Sequence, residues 1–361
     1  MIPIVKPFLP PADVLMPRLQ ATLYSGYIAE GEKVKEFEKS FGAYIDNPYS
    51  LSLNSGTAAL HLALLMAGVR EGDEVISTAL TAEPTNVTIV QVGAKVVWAD
   101  VDEATGVLSP ISVREKITSR TKAIMLVHYA GIVADMDAFQ KISEEFGIPI
   151  IEDAAHALGA KYKGKMIGSI SPYTIFSLQA IKHITTVDGG ILAVNSQAQH
   201  DKGRIKRWFG LDKTKPRLEN NITEVGYKYH MNDVNATIGL VQMDYITETV
   251  GKYIENGQYL DSQLTNTEGV KLIVYYEGSE PSYWLYTIRV ERRNDFIKWM
   301  AENGISASEL HLRNDRHEIF GKPAHLPALD KFYAEMVHLP CGWWVNNEDR
   351  ERIVDAIKKG W

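Results

Sequence analysis

Lys182 is the one lysine or arginine in the run Phe176 to Gly190, which reads Phe-Ser-Leu-Gln-Ala-Ile-Lys-His-Ile-Thr-Thr-Val-Asp-Gly-Gly. Such an amine has two readings. Its stem can carry the ammonium out to solvent, or burial can lower its basicity until it condenses with a carbonyl carbon as a Schiff base. Asp153 ends the apolar stretch Ile148-Pro149-Ile150-Ile151-Glu152. A carboxylate at the carboxyl end of a buried strand is costly unless paired. Asp153 therefore caps the next helix or holds a protonated ring nitrogen, while Glu152 alternates to the opposite face. Asn54-Ser55-Gly56-Thr57 opens an apolar helical stretch. Asn54 or Ser55 can cap it, and Gly56 lets the backbone turn closely. Its free N–H groups suit a phosphate as well as a plain cap.

These residues need a frame. Short β-rich runs at 74–77, 95–99, 122–127, 148–152, 173–177 and 190–194 alternate with helical patterns such as 85–91 and 137–146. That alternation predicts an α/β fold with a largely parallel sheet covered on both faces, and ligands at the carboxyl ends of its strands. Pro7, Pro10 and Pro11 precede helical periodicity at 12–23 and 32–44. Residues 162–165 read as a hairpin turn. One long helix is expected from Asn232 to beyond Tyr259. Strands at 272–276 and 284–290 and helices at 295–302 and 347–358 complete a smaller α+β part. The expected domains are 1–245, with an N-terminal arm, and 246–361.

The 361 residues carry a formal net charge of -7, which argues against general nucleic-acid binding. A local cationic cluster still suits a small anion. Lys202, Arg204, Lys206 and Arg207 form the densest one, read as a solvated helix face or a diphosphate contact. The single cysteine, Cys341, rules out an internal disulfide and fits a reducing compartment. No apolar run is long enough to span a bilayer and the first residues lack a signal-peptide pattern, so a cytoplasmic protein is expected. His311 and His317 are too isolated for a metal pair, and no metal site is expected. The tryptophans cluster late and are assigned to core or subunit contacts.

Four motifs occur in order: Ser-Gly-Thr at 55–57, Glu-Asp-Ala-Ala-His-Ala at 152–157, Phe-Ser-x-x-x-x-Lys with Asp-Gly-Gly at 176–190, and Gly-Tyr-x-Tyr-x-Met-Asn-Asp at 226–233. Together they resemble the DegT/DnrJ/EryC1/StrS family of sugar aminotransferases, over nearly the whole chain. The resemblance implies a fold type I aminotransferase: a large, mostly parallel sheet of the seven-stranded type plus a smaller C-terminal α+β domain. It implies pyridoxal 5'-phosphate as cofactor, passing through pyridoxamine 5'-phosphate, and a homodimer with shared active sites.

Carried over by motif, Lys182 forms the Schiff base and then shuttles a proton between the two carbons of the imine. Asp153 pairs with the pyridine nitrogen. Ser177 and the backbone at Thr57 and Ala58 hold the phosphate, with Gly56 allowing close approach, and His156 and Gln179 touch the cofactor or its phosphate. Lys228 and His230 lie in the segment that reaches the neighbouring subunit's site. Ala82 stands where many members carry an aromatic over the cofactor ring.

The expected reaction moves an amino group from glutamate or glutamine to a nucleotide-linked keto-sugar, a 4-keto-6-deoxy hexose, for a surface polysaccharide or a glycosylated metabolite. The rivals are a keto-sugar dehydratase, in which histidine replaces the lysine, a cyclitol aminotransferase, and a non-catalytic sensor of nucleotide sugars.

Overall fold

The computed structural model describes all residues, Met1–Trp361. Helices α1 (Ala12–Leu23) and α2 (Glu32–Tyr44) follow the proline-rich arm. Val34, Phe37 and Phe41 share the buried face of α2. Then β1 (Ser50–Leu53), α3 (Gly56–Met66), β2 (Glu74–Ser77), α4 (Glu83–Gln91), β3 (Lys95–Trp98), α5 (Pro110–Lys116), β4 (Thr121–Val127), α6 (Met136–Phe146) and β5 (Ile150–Asp153) alternate along the chain. The hairpin β6 (Lys161–Tyr162) and β7 (Lys165–Met166) precedes β8 (Tyr173–Ser177), β9 (Gly190–Val194) and α7 (Gln197–Lys206).

The main sheet has seven strands in the order β1-β9-β8-β5-β4-β2-β3. β8, β5, β4, β2 and β3 run parallel, and β9 runs antiparallel to both its neighbours. This is the expected mostly parallel α/β sheet of a fold type I aminotransferase. Helices on both faces explain why β2, β5 and β9 are buried at every position.

The C-terminal part differs more from expectation. The helix expected from 232 to beyond 259 is two, α8 (Asp233–Met243) and α9 (Ile246–Leu264). Asp244 and Tyr245 donate to the carbonyls of Val241 and Gln242, so the ladder tightens and the axis turns. Tyr245 packs there on Phe8 of the arm, ring centroids 5.7 Å apart. After α9 come β10 (Val270–Leu272), β11 (Ser279–Glu280), β12 (Tyr286–Val290), α10 (Arg293–Glu302), α11 (Pro327–Glu335), β13 (Met336–Leu339) and α12 (Asn347–Lys358). Strand β10 lies earlier than the expected 272–276 and shares only Leu272 with it, because pairing with β12 ends there and Tyr275 and Tyr276 lie in the loop beyond. β11 joins the β6–β7 hairpin, so a C-terminal segment completes a small sheet on the large sheet's domain. One core cluster of 66 buried residues includes Ile124 and Leu126 of β4 together with Ile288 of β12 and Phe332 of α11.

Candidate active site

Strand β5 ends between β4 and β8, so Asp153 emerges at the carboxyl edge of the parallel sheet. It is buried. Its Oδ2 accepts from Thr85 Oγ1 at 2.7 Å and its Oδ1 from the Ala155 N–H at 3.1 Å. Burial pushes its carboxyl up, against these bonds and the nearby Lys182 amine. Two donors leave part of the carboxylate's acceptor capacity free.

Glu152 points the other way, as strand alternation requires. Its Oε2 accepts from His128 Nε2 at 2.7 Å, and its Oε1 from Ser171 N–H and Thr174 Oγ1, each at 3.2 Å. His128 Nδ1 accepts from the Ala134 N–H, so Nε2 carries the ring proton.

Lys182 is held by a loop closed on itself after β8. Thr186 N–H and Thr185 Oγ1 both donate to the Leu178 carbonyl, and Leu178 N–H donates to that of Gly189. Asn235 of α8 donates to the carbonyls of Thr186 (2.6 Å) and Asp188 (3.0 Å). The Thr-Thr-x-Asp-Gly-Gly sequence thus fixes the loop. Burial brings the Lys182 amine down to about 7, with Asp153 acting in the opposite direction. Its Nζ lies over the indole of Trp284, 3.8 Å from the ring centroid. His183 turns away: its Nε2 meets the Ser282 carbonyl at 3.2 Å and its ring packs edge-on against Tyr253. Lys182, not His183, therefore faces Asp153.

The start of α3 lies beside Ser177. A Cβ on Gly56 would stand 3.1 Å from Ser177 Cβ, and one on Gly190 would stand 2.4 Å from the Ser55 carbonyl oxygen. Bare backbone at both positions lets the helix start sit against β8 and β9. Ser55, not Asn54, is the cap, accepting from the Ala58 N–H at 3.0 Å. That bond engages the Ala58 amide, one of the expected phosphate donors. The Gly56 and Thr57 N–H groups have no protein acceptor and remain at the positive end of the helix. Gln179 is exposed, with its Oε1 folded back on the Ile181 N–H.

Other expected residues lie elsewhere. Lys228 is exposed, and its carbonyl accepts from Asn54 Nδ2. His230 stacks edge-on against Trp208, and burial brings its ring down to about 4. Neither joins Lys182 within the chain, because the segment is stitched to β1 and to the end of α7. The cations of 202–210 also have partners. Arg204 pairs with Asp212, Lys206 with Glu224, and the buried Arg207 with Glu30 and Glu38. That corrects the diphosphate reading: three of the four charges are already neutralised.

Residues outside the motifs complete the site. Trp284, expected as core, is buried and also forms the floor under Lys182. His156 stacks on its indole at 3.9 Å. His311 lies parallel to His156 at 6.0 Å, with its buried Nε2 unpartnered. Thr85 and Asn235 bear directly on Asp153 and the lysine loop. Nothing in local spacing marks Trp284 or His311, since both arrive from the C-terminal part through tertiary folding.

The model of the DegT/DnrJ/EryC1/StrS aminotransferase family matches residues 13–358. The chain belongs to this family. It is 32% identical to the spore coat polysaccharide biosynthesis protein SpsC of Bacillus subtilis, over 93% of this chain and 92% of that protein. It superposes on the sugar aminotransferase CalS13 of Micromonospora echinospora with a TM-score of 0.96 and 34% identity, covering 100% of each chain. The pyridoxal-phosphate form of Spr1654 of Streptococcus pneumoniae, a sugar aminotransferase by description, matches with a TM-score of 0.90 and 29% identity, over 99% and 98% of the two chains. DegT/DnrJ/EryC1/StrS aminotransferases depend on pyridoxal phosphate, and this chain is one. Its residues fit the cofactor. Two orphaned amides sit beside Ser177, Asp153 has acceptor capacity to spare, and Lys182 offers an amine of lowered basicity.

Proposed function

We propose that this chain moves the amino group of glutamate or glutamine onto a nucleotide-linked keto-sugar, a 4-keto-6-deoxy hexose. The observation that carries the reading is Lys182: a half-buried amine brought to about 7, facing the buried Asp153. A sensor of nucleotide sugars needs neither group in that state.

Pyridoxal phosphate supplies an aldehyde that condenses with amines and a ring that takes up the electron pair freed at carbon. Lys182 Nζ would hold it and would carry a proton between the carbon atoms of the bound group. An amine near 7 does both at neutral pH. Asp153 keeps the proton on the ring nitrogen by ion pairing. The Gly56 and Thr57 amides and Ser177 Oγ would hold the phosphate, with Gln179 beside them. His156, kept neutral by burial and the neighbouring Lys182 charge, flanks the ring site. Lys228 and His230 act at the site of a second copy of the chain. That placement follows the family resemblance of the 226–233 segment and makes the active enzyme a homodimer with shared sites.

The decisive experiment is a screen of keto-sugar nucleotides with glutamate or glutamine, read by mass spectrometry. A product with the carbonyl replaced by an amine supports the reading. Loss of water without nitrogen gain would make the chain a dehydratase, and turnover of a free keto-cyclitol alone would remove the nucleotide from the proposal.

A further inference from the structure

Lys182 Nζ makes no hydrogen bond or ion pair, not even with Asp153, and lies over the π face of Trp284. The indole itself is held on two further sides. Its Nε1–H donates to the carbonyl of Ile181, the residue before the lysine, at 3.0 Å. His156 stacks on it at 3.9 Å and 19°. At these separations one face has no room for both groups, so His156 and the ammonium take opposite faces.

The backbone around Trp284 is equally fixed. Ser282 and Leu285 donate to the carbonyls of Gly131 and Ala130, and Ser282 Oγ donates to that of His156. Tyr283, at φ +49°, donates its hydroxyl to Asp261 at 2.7 Å.

We propose that the indole face of Trp284 is the docking place of the Lys182 amine whenever that amine is not bonded to the cofactor. Trp284 is then a positioning residue for the proton shuttle. The inference rests on the reading of Lys182 as the Schiff-base lysine. Whenever a substrate amine occupies the cofactor, Lys182 is a free base that must stay within reach and take up a proton. Two partners compete for the resulting ammonium. Pairing with Asp153 would occupy the carboxylate that holds the ring proton. The ring quadrupole of Trp284 stabilises the ammonium without using that carboxylate. The bond to the Ile181 carbonyl ties the docking face to the lysine's own backbone, so the two move together.

The test uses an isosteric change. Trifluorotryptophan introduced at position 284 keeps the shape of the ring and weakens the negative potential of its face. In the apoprotein, acetylation of Lys182 is followed against pH by peptide mass spectrometry. A docked ammonium predicts that the titration of Lys182 moves down by roughly half to one pH unit on fluorination. In Trp284→Phe, which keeps a weaker π face, the two half-reactions should slow alike in single turnover, by roughly three- to tenfold, with donor KM unchanged. Unchanged Lys182 titration in the fluorinated protein overturns the proposal, as does slowing of one half-reaction alone. Borohydride trapping separates the two levels: label on another lysine sinks the reading beneath, whereas label on Lys182 with an unmoved titration sinks only the docking face.

Discussion

Glu152 and Asp153 are neighbours on one strand, both buried, and turned to opposite sides of the sheet. Glu152 meets three donors, one of them a fully buried histidine ring, and ties β5 to the loop before β8. Asp153 meets two and faces the amine of Lys182, which has no hydrogen bond of its own. One carboxylate is engaged by fixed protein donors. The other keeps lone pairs free on the side where a ligand can arrive. Burial alone does not distinguish a structural acid from a functional one; unfilled hydrogen-bonding capacity beside an unpaired charge does.

The largest break in that comparison comes from the amine. Lys182→Ala should lower transamination by several orders of magnitude while still binding cofactor, because it removes both nucleophile and proton carrier. Single-turnover absorbance measures it, and turnover within tenfold of the parent would reject the assignment. Asp153→Asn comes next. It keeps size but removes the charge that retains the ring proton, so the rate should fall about a hundredfold or more, on the order of 3 kcal/mol in barrier, with Tm little changed. If the rate holds, Asp153 is a structural acid like its neighbour.

Glu152→Ala should do the reverse. It strands His128 and two donors in the core, so denaturant titration should show a loss of about 3 kcal/mol or more, with Glu152→Gln losing less. The folded fraction should retain kcat within a few-fold; a loss as large as that of Asp153→Asn would erase the distinction.

The smallest effect is a pH dependence of the apoprotein. Lys182 titrates near 7 when folded and near 10.4 when unfolded. Between those values the unfolded chain binds the extra proton, so stability contributed by this residue rises with pH. Lys182→Met should therefore be more stable than the parent at pH 6 to 7, by a few degrees in Tm, and the gap should close toward pH 10. A constant gap would mean the amine is solvated.

Much of this was legible in the sequence, and unevenly. Short, nearly continuous apolar runs located six of the seven main-sheet strands to within two residues, because strands covered on both faces carry few polar positions; β1 was not among them. Glu152-Asp153 could be assigned to opposite faces by alternation alone. Lys182 was legible from its isolation, and Ser55-Gly56 from helix-start chemistry. What local pattern does not carry is the destination of a side chain. Trp284 was one of seven tryptophans until β12 carried it under the lysine. Arg207 looked free because its partners, Glu30 and Glu38, lie more than 160 residues away. The break at Asp244–Tyr245 contains neither proline nor glycine, and it follows from tertiary packing on Phe8.

The bonds from Ser282 and Leu285 to Gly131 and Ala130, together with a core continuous from β4 to α11, set a limit on modularity. A C-terminal segment grafted from a relative would have to reproduce both the floor beneath the lysine and the apolar surface shared with the parallel sheet. Recombination at the α8–α9 bend preserves every strand of the main sheet yet separates Lys182 from Trp284 and His183 from Ser282. Chimeras divided there inherit two halves of an active site, and of one apolar core, shaped by different ancestors.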